Sequence, residues 1–175
     1  MLTHLPFDSV ARRAPTEDEP VTVNLRSPPT DIVVPWHSHE WAQLAYPLRG
    51  GIRISAAGMT WLVPALRAVW IPPYIEHEVV MLGDVELRTV YVAAEVAPLP
   101  ADVCTVVEVS ELMRALIESL SESGAAEPPD TRRRDLMIAL LLEEMRSAPP
   151  LSLGLPLPTD RRLQGLCNAL IADPG

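Results

Sequence analysis

The sequence predicts a mainly β domain with helices after it, the strands forming a sandwich or small barrel. Two observations point there. Between Val21 and Val107 the chain is a series of short extended runs cut by Gly and Pro, the signature of many short antiparallel strands. After Glu108 the apolar period changes from two to 3.6, with Met113, Leu116, Ile117 and Leu120 at i, i+3, i+4 and i+7. The totals agree. A chain of 175 residues, 48% hydrophobic and 21% charged, suits one domain with a real core plus an appendage.

Taken in order, residues 1–19 lack periodicity and read as an arm. Residues 20–108 hold the strands: Val21–Leu25, Ile32–Trp36 leading into a histidine-bearing strand, Ile52–Ala56, Met59–Val63, Val69–Ile71, His77–Leu82, Leu87–Ala93 and Val103–Val107. Turns are expected at Arg49-Gly50-Gly51 and Ala57-Gly58. Residues 109–148 hold two helices. The first is capped by Ser110 and ended by Gly124, and the second runs from Asp130 to about Arg146. The run from Leu136 to Leu142 is apolar on nearly every side, so it has to be covered on more than one face. A dimer interface through Met137, Leu140, Leu141, Leu142 and Met145 is the expectation, with a fully intramolecular helix as the alternative. Arg132 to Arg134 read as a solvated face. Residues 149–158 read as a proline- and leucine-rich linker, and Thr159-Asp160 caps a third helix carrying Leu163, Leu166, Cys167, Leu170 and Ile171.

The stretch from Trp36 to Tyr46 carries the chemistry. In an extended strand residues 37, 39, 41 and 43 share a face, which here reads His, His, Trp, Gln. A third imidazole, His77, follows Pro72-Pro73. Two imidazoles on one strand met by a third from another make a first shell for a divalent transition metal. Zinc or nickel held by His37, His39, His77 and Gln43 is the expectation, with binding weakening below about pH 6 as protons compete. The alternative is that these side chains are polar lining of a damp cavity. Cys104 and Cys167 show no metal or redox spacing and read as small core residues.

His37-x-His39-x3-Gln43, then Gly50-Gly51, then Pro72-Pro73-x3-His77, resembles the two motif halves of the cupin barrel. The resemblance implies a double-stranded β-helix, jelly-roll-like, with two His and a Glu from the first motif and one His from the second. Gln43 stands at the Glu position, which keeps an oxygen donor but removes its charge. Glu40 points to the other face of a regular strand. Trp61 with Pro64, Arg67 through Pro72, and Leu87 through Tyr91, followed by two helices, resemble the N-terminal sensing domain of AraC-type transcription regulators. The third helix, Asp160 through Pro174, resembles the opening helix of that family's DNA-binding domain, so the chain is expected to be a sensor and dimerisation fragment of a longer regulator.

That resemblance implies a small-molecule effector in the barrel, with Trp41, Tyr46, Trp61, Trp70, Arg88 and Tyr91 as pocket candidates, a homodimer, and DNA contact only through the missing C-terminal domain. The competing readings are a metal-dependent cupin enzyme of dioxygenase or isomerase type, and a plain ligand-binding barrel. An oxygen-activating facial triad needs a carboxylate, which Gln43 does not supply. No nucleophile with an adjacent base and no phosphate-binding glycine loop is present, so no catalytic residue is assigned. A net charge of −9, with all 14 basic residues arginine, disfavours phosphate binding by this segment alone. No secretory signal core and no apolar run of spanning length occurs, and a cytoplasmic location is expected.

Overall fold

The computed structural model describes residues 3–4, 13–27, 32–122, 131–156 and 163. Its strands are β1 (Thr3–His4), β2 (Val21–Arg26), β3 (Ile32–His37), β4 (Ala42–Ala56) and β5 (Met59–Pro64). They continue with β6 (Arg67–Ile71), β7 (His77–Val92), β8 (Thr105–Glu108), β9 (Pro150–Leu151) and β10 (Gly154–Pro156). The helices are α1 (Glu111–Glu122) and α2 (Thr131–Ser147).

Two long strands, β4 and β7, organise everything else. They pair antiparallel from Ala42↔Val92 to Ala56↔His77, and each half belongs to a different sheet. The first half of β4 pairs with β6, which leads on to β8 and β9, while the second half of β7 carries β2. The second half of β4 pairs with β5 and then β10, while the first half of β7 carries β3 and the short parallel β1. The two half-sheets fold face to face, so the expected barrel is present and is of cupin type.

Two expected breaks are absent. Arg49-Gly50-Gly51 is a bulge inside one continuous strand, with the register shifting between Pro47 and Gly51. Gly50 is required there: its φ is +68°, and a Cβ would lie 2.6 Å from the Asp84 carbonyl oxygen. The bulge also changes which parity faces inward along β4. Ala45 points in before it, and Ile52, Ile54 and Ala56 point in after it. Likewise residues 77–92 form one strand, bent at Gly83 with φ +76°.

The alternation creates two apolar cores. Between the half-sheets lie Ile32, Val34, Ala45, Ile52, Ile54, Trp61, Val69, Ile71, Val79, Met81 and Val106. On the outer face of one half-sheet lie Val21, Val23, Leu44, Tyr46, Trp70, Val90 and Val92, covered by Met113, Leu116, Ile117 and Leu120 of α1 and Leu141 and Met145 of α2. Ser110 caps α1 as expected, its Oγ accepting from the Met113 N–H at 2.9 Å, and the same hydroxyl donates to Glu144 of α2. Arg134 is not a solvated cation: it bridges to Glu19 and the Val21 carbonyl, pinning α2 to the chain before β2. Cys104 is buried, as expected, and burial pushes its thiol up to about 12.

The helix expected to form the dimer is largely spoken for within the chain. Leu141 and Met145 are fully buried in the outer core, and Met137 and Leu142 pack against it. Their spacing of four places Met137, Leu141 and Met145 on one stripe turned toward α1 and the sheet. Leu136 and Leu140 lie on the opposite stripe and stay exposed. Of the five residues expected at a subunit contact, only Leu140 presents a solvent-facing side chain.

The expected linker is also bound. Residues 150–151 pair with β8 and 154–156 with β5, so the barrel edges hold part of the stretch that reads as a proline- and leucine-rich linker. This placement suits proline, which is confined to sheet edges. Gly154 sits so close to Trp61 that a Cβ would lie 2.7 Å from the indole Nε1. The expected caps at Gly124 and Asp130, the third helix apart from Leu163, and Cys167 lie outside the described residues.

Candidate metal centre

The three histidines arrive by separate routes. His37 ends β3 and stands in register with His77, the first residue of β7. His39 lies in the connection that crosses from one half-sheet to the other, and Gln43 follows on β4 opposite Tyr91 and Ile71. Residues 37–43 are therefore not one extended strand. The crossing still brings the expected four side chains together. Ring centroids are 4.2 Å apart for His37 and His77, 5.1 Å for His39 and His77, and 6.0 Å for His37 and His39. One ring nitrogen from each lies within 4.8 Å of the others.

The proton positions follow from the partners. Nδ1 of His37 meets the Pro35 carbonyl at 2.7 Å, Nδ1 of His39 the Trp41 carbonyl at 2.6 Å, and Nδ1 of His77 the Ile75 carbonyl at 2.8 Å. A carbonyl oxygen only accepts, so each Nδ1 carries the proton and donates. Each neutral ring then has its lone pair on Nε2. Carbonyl-oriented imidazoles of this kind are what metal sites use to fix tautomer and ring direction.

The ring nitrogens left over at His39 and His77 are acceptors. His39 Nε2 lies 3.1 Å from Gln43 Oε1, a lone pair facing a lone pair. Turning the amide over would give His39 a donor, yet His77 Nε2 would remain buried without a hydrogen-bond partner. Burial is the chief reason that all three imidazoles are held below their ordinary pKa. For His77 the value falls to about 3, with the neighbouring His37 adding to the effect. Protonation is thus a poor way to satisfy the cluster at neutral pH, whereas a cation accepting three imidazole lone pairs and an amide oxygen fits it. Competition from protons accordingly sets in at lower pH than for free imidazoles. Among the described residues no carboxylate or thiol joins the group; Glu40 is exposed.

The pocket candidates divide by face. Trp41 stacks on His39 with centroids 5.0 Å apart and planes 1° apart, and Tyr91 lies 5.6 Å from Trp41 and 6.1 Å from His39. Burial holds the Tyr91 phenol above its usual pKa. Trp61 is buried in the same inter-sheet core. Tyr46 and Trp70 instead belong to the helix-covered core, with Arg88 paired across the strands to Tyr46. A molecule inside the barrel does not meet them, because residues 44, 46, 88 and 90 alternate away from 43, 45, 89 and 91. The Trp70 indole N–H donates to the Pro100 carbonyl, and Arg88 pairs with Glu86.

The sequence reading missed a cavity of about 630 Å³ on the barrel mouth, lined by Thr16, Glu17, Glu40, Trp41, Tyr74 and Glu95 among others. Four separate connections build it, so no local pattern announces it. Trp41 is its shared wall with the histidine cluster.

Residues 21–142 match the family model described as the AraC-like ligand binding domain. The chain belongs to that family. This AraC-like domain is 28% identical over 146 residues to the HTH-type transcriptional regulator NimR of Escherichia coli (strain K12), covering 82% of this chain and 52% of NimR. It thus spans about half the length of the curated relative it matches. Among solved structures, ToxT of Vibrio cholerae with an unsaturated fatty acid bound aligns with a TM-score of 0.52 at 9% identity, covering 93% of this chain and 66% of that one. An apo ToxT variant gives 0.50 at 7% identity, covering 92% and 67%. At such identities the likeness is one of fold.

Proposed function

We propose that this domain is the effector-sensing and self-associating part of a cytoplasmic transcription regulator, and that its barrel holds a divalent metal at His37, His39, His77 and Gln43. The observation that carries the metal reading is the buried His77 Nε2, which has no hydrogen-bond partner among the described residues and stands beside the His37 and His39 rings and the Gln43 amide. The ion would be zinc or nickel, which three neutral imidazoles and a carbonyl oxygen suit. Its chemistry there would be Lewis acidity toward a small molecule entering the barrel. The protein's own part is to hold the imidazoles through three backbone carbonyls and to wall the site with Trp41 and Tyr91. ToxT, solved with a fatty acid bound, supports reading such a barrel as a small-molecule site. NimR, named as an HTH-type regulator, supports DNA reading by a helix-turn-helix unit elsewhere in the parent protein. Self-association uses the exposed Leu136 and Leu140 stripe of α2 across a two-fold axis. No catalytic role is assigned: the facial triad of oxygen-activating enzymes includes a carboxylate, and the cluster has none. No helix among the described residues is long and apolar enough to cross a membrane.

Elemental analysis after mild dialysis tests the metal. About one equivalent is expected in the parent protein and less than about a tenth in His39→Ala, since losing one of three imidazoles removes a first-shell donor. Equal metal content in both proteins would reduce the histidines to pocket lining.

A further inference from the structure

The donor set is electrically neutral, and that bears on what else the site accepts. Three imidazoles protonated at Nδ1 and one amide oxygen leave the full double charge of a divalent ion uncompensated. The site is buried: His77 is 0% exposed, Gln43 6% and His39 7%. Around it stand Ile71, Ala45, Ala56 and Val79 of the inter-sheet core. A buried charge without a counter-charge is costly. Glu17, Glu40 and Glu95 do not supply one, because they are solvent-exposed and none joins the ligand cluster; at the surface their effect is diluted by water and salt.

We propose that the second ligand of this barrel is an anionic oxygen donor of the carboxylate class, and that Gln43 is the residue that selects it. A glutamate at 43 would neutralise half of the ion's charge from within the protein. The amide leaves that place to a molecule from outside. Trp41 and Tyr91 flank the cluster with their rings, and Trp41 also lines the cavity of about 630 Å³, the side from which a planar carboxylate would enter. This inference rests on the metal reading above. One competitor is named by the same chemistry: a metal-bound water losing its proton also delivers a negative oxygen.

Cobalt(II) loaded into the full chain reports both claims through its visible absorption, with no need for an activity. Benzoate is the probe, and benzamide is its neutral counterpart of the same shape. The expected result is a saturable spectral change with benzoate and none with benzamide. In Gln43→Glu, cobalt should be held at least as tightly against a competing chelator while the benzoate affinity drops by about tenfold or more, since one added negative charge opposes the anion at contact range. Failure of cobalt to bind, or binding that His77→Ala leaves unchanged, overturns the metal reading and this inference with it. Cobalt uptake with benzoate and benzamide indistinguishable, or with a spectrum that answers to pH alone, overturns only the anion proposal and assigns the open position to solvent.

Discussion

The two apolar cores lie on opposite faces of the same strands, and they are built for different purposes. The outer core under the helices is apolar and closed: Leu44, Trp70, Val90, Leu141 and Met145 are each 0% exposed. The inner core, one residue away along the same strands, admits Gln43, Thr89 and Tyr91, with His39 and His77, into the buried interior. Strand alternation alone makes that division possible. One sheet can then carry stability on one side and an unsatisfied polar cluster on the other. The contrast teaches where each kind of mutation should act.

The largest expected effect is on the inner side, in the metal-free protein under acid. His77 titrates near 6.5 when unfolded and at about 3 when folded. Between those values the unfolded chain binds a proton that the folded one refuses. Stability is therefore full above about pH 6.5 and declines as pH falls toward 3, by up to on the order of 4 kcal/mol from this residue alone. Urea unfolding of chelator-treated protein at a series of pH values measures the slope, and His77→Leu should flatten it. A parent and a variant with equal slopes would mean that His77 does not sit as buried as the structure has it.

Next comes the outer side. Leu141→Ala removes a fully buried side chain from between the helices and the sheet, and a cost of about 3 kcal/mol is expected. The comparison predicts a separation: the variant that remains folded should keep the metal content of the parent. Metal lost in proportion to stability would show that the two faces are one cooperative unit rather than two.

Much of this was legible in advance, for reasons that particular residues make plain. The histidines, Gln43 and the switch of period after Glu108 are local patterns; the helices follow that switch, and the four side chains meet, although across a strand-to-strand connection rather than along one extended strand. The capping hydroxyl of Ser110 is local as well. What could not be read depends on partners distant in sequence. Which parity of β4 faces inward is set by the bulge at Gly50, and the glycine is needed because of the Asp84 carbonyl. Tyr46, Trp70 and Arg88 read as pocket residues because they are aromatic or charged groups on barrel strands, and composition does not say that their face is the one the helices cover. The run Leu136–Leu142 showed an excess of apolar faces but not which of them α1 would cover. The strand pairing of residues 150–156 depends on the free edges of β5 and β8, which nothing in those residues reveals.

The smallest expected effect on the fold tests the remaining face of α2. Leu140 is 43% exposed and Leu136 63%, one turn apart on the side away from the outer core. Leu140→Glu should change the stability of the single chain by no more than about 0.5 kcal/mol, since an exposed helical position tolerates glutamate. Leu141→Glu, one residue along, would put a carboxylate into the closed core and should prevent folding. The neighbours thus separate two explanations of the same apolar run. Light scattering at tens of micromolar decides between them: a dimeric parent and a folded, monomeric Leu140→Glu would locate the subunit contact on this stripe. A parent that is already monomeric would leave Leu136 and Leu140 as exposed leucines, and α2 as a helix whose apolar surplus is spent entirely within its own chain.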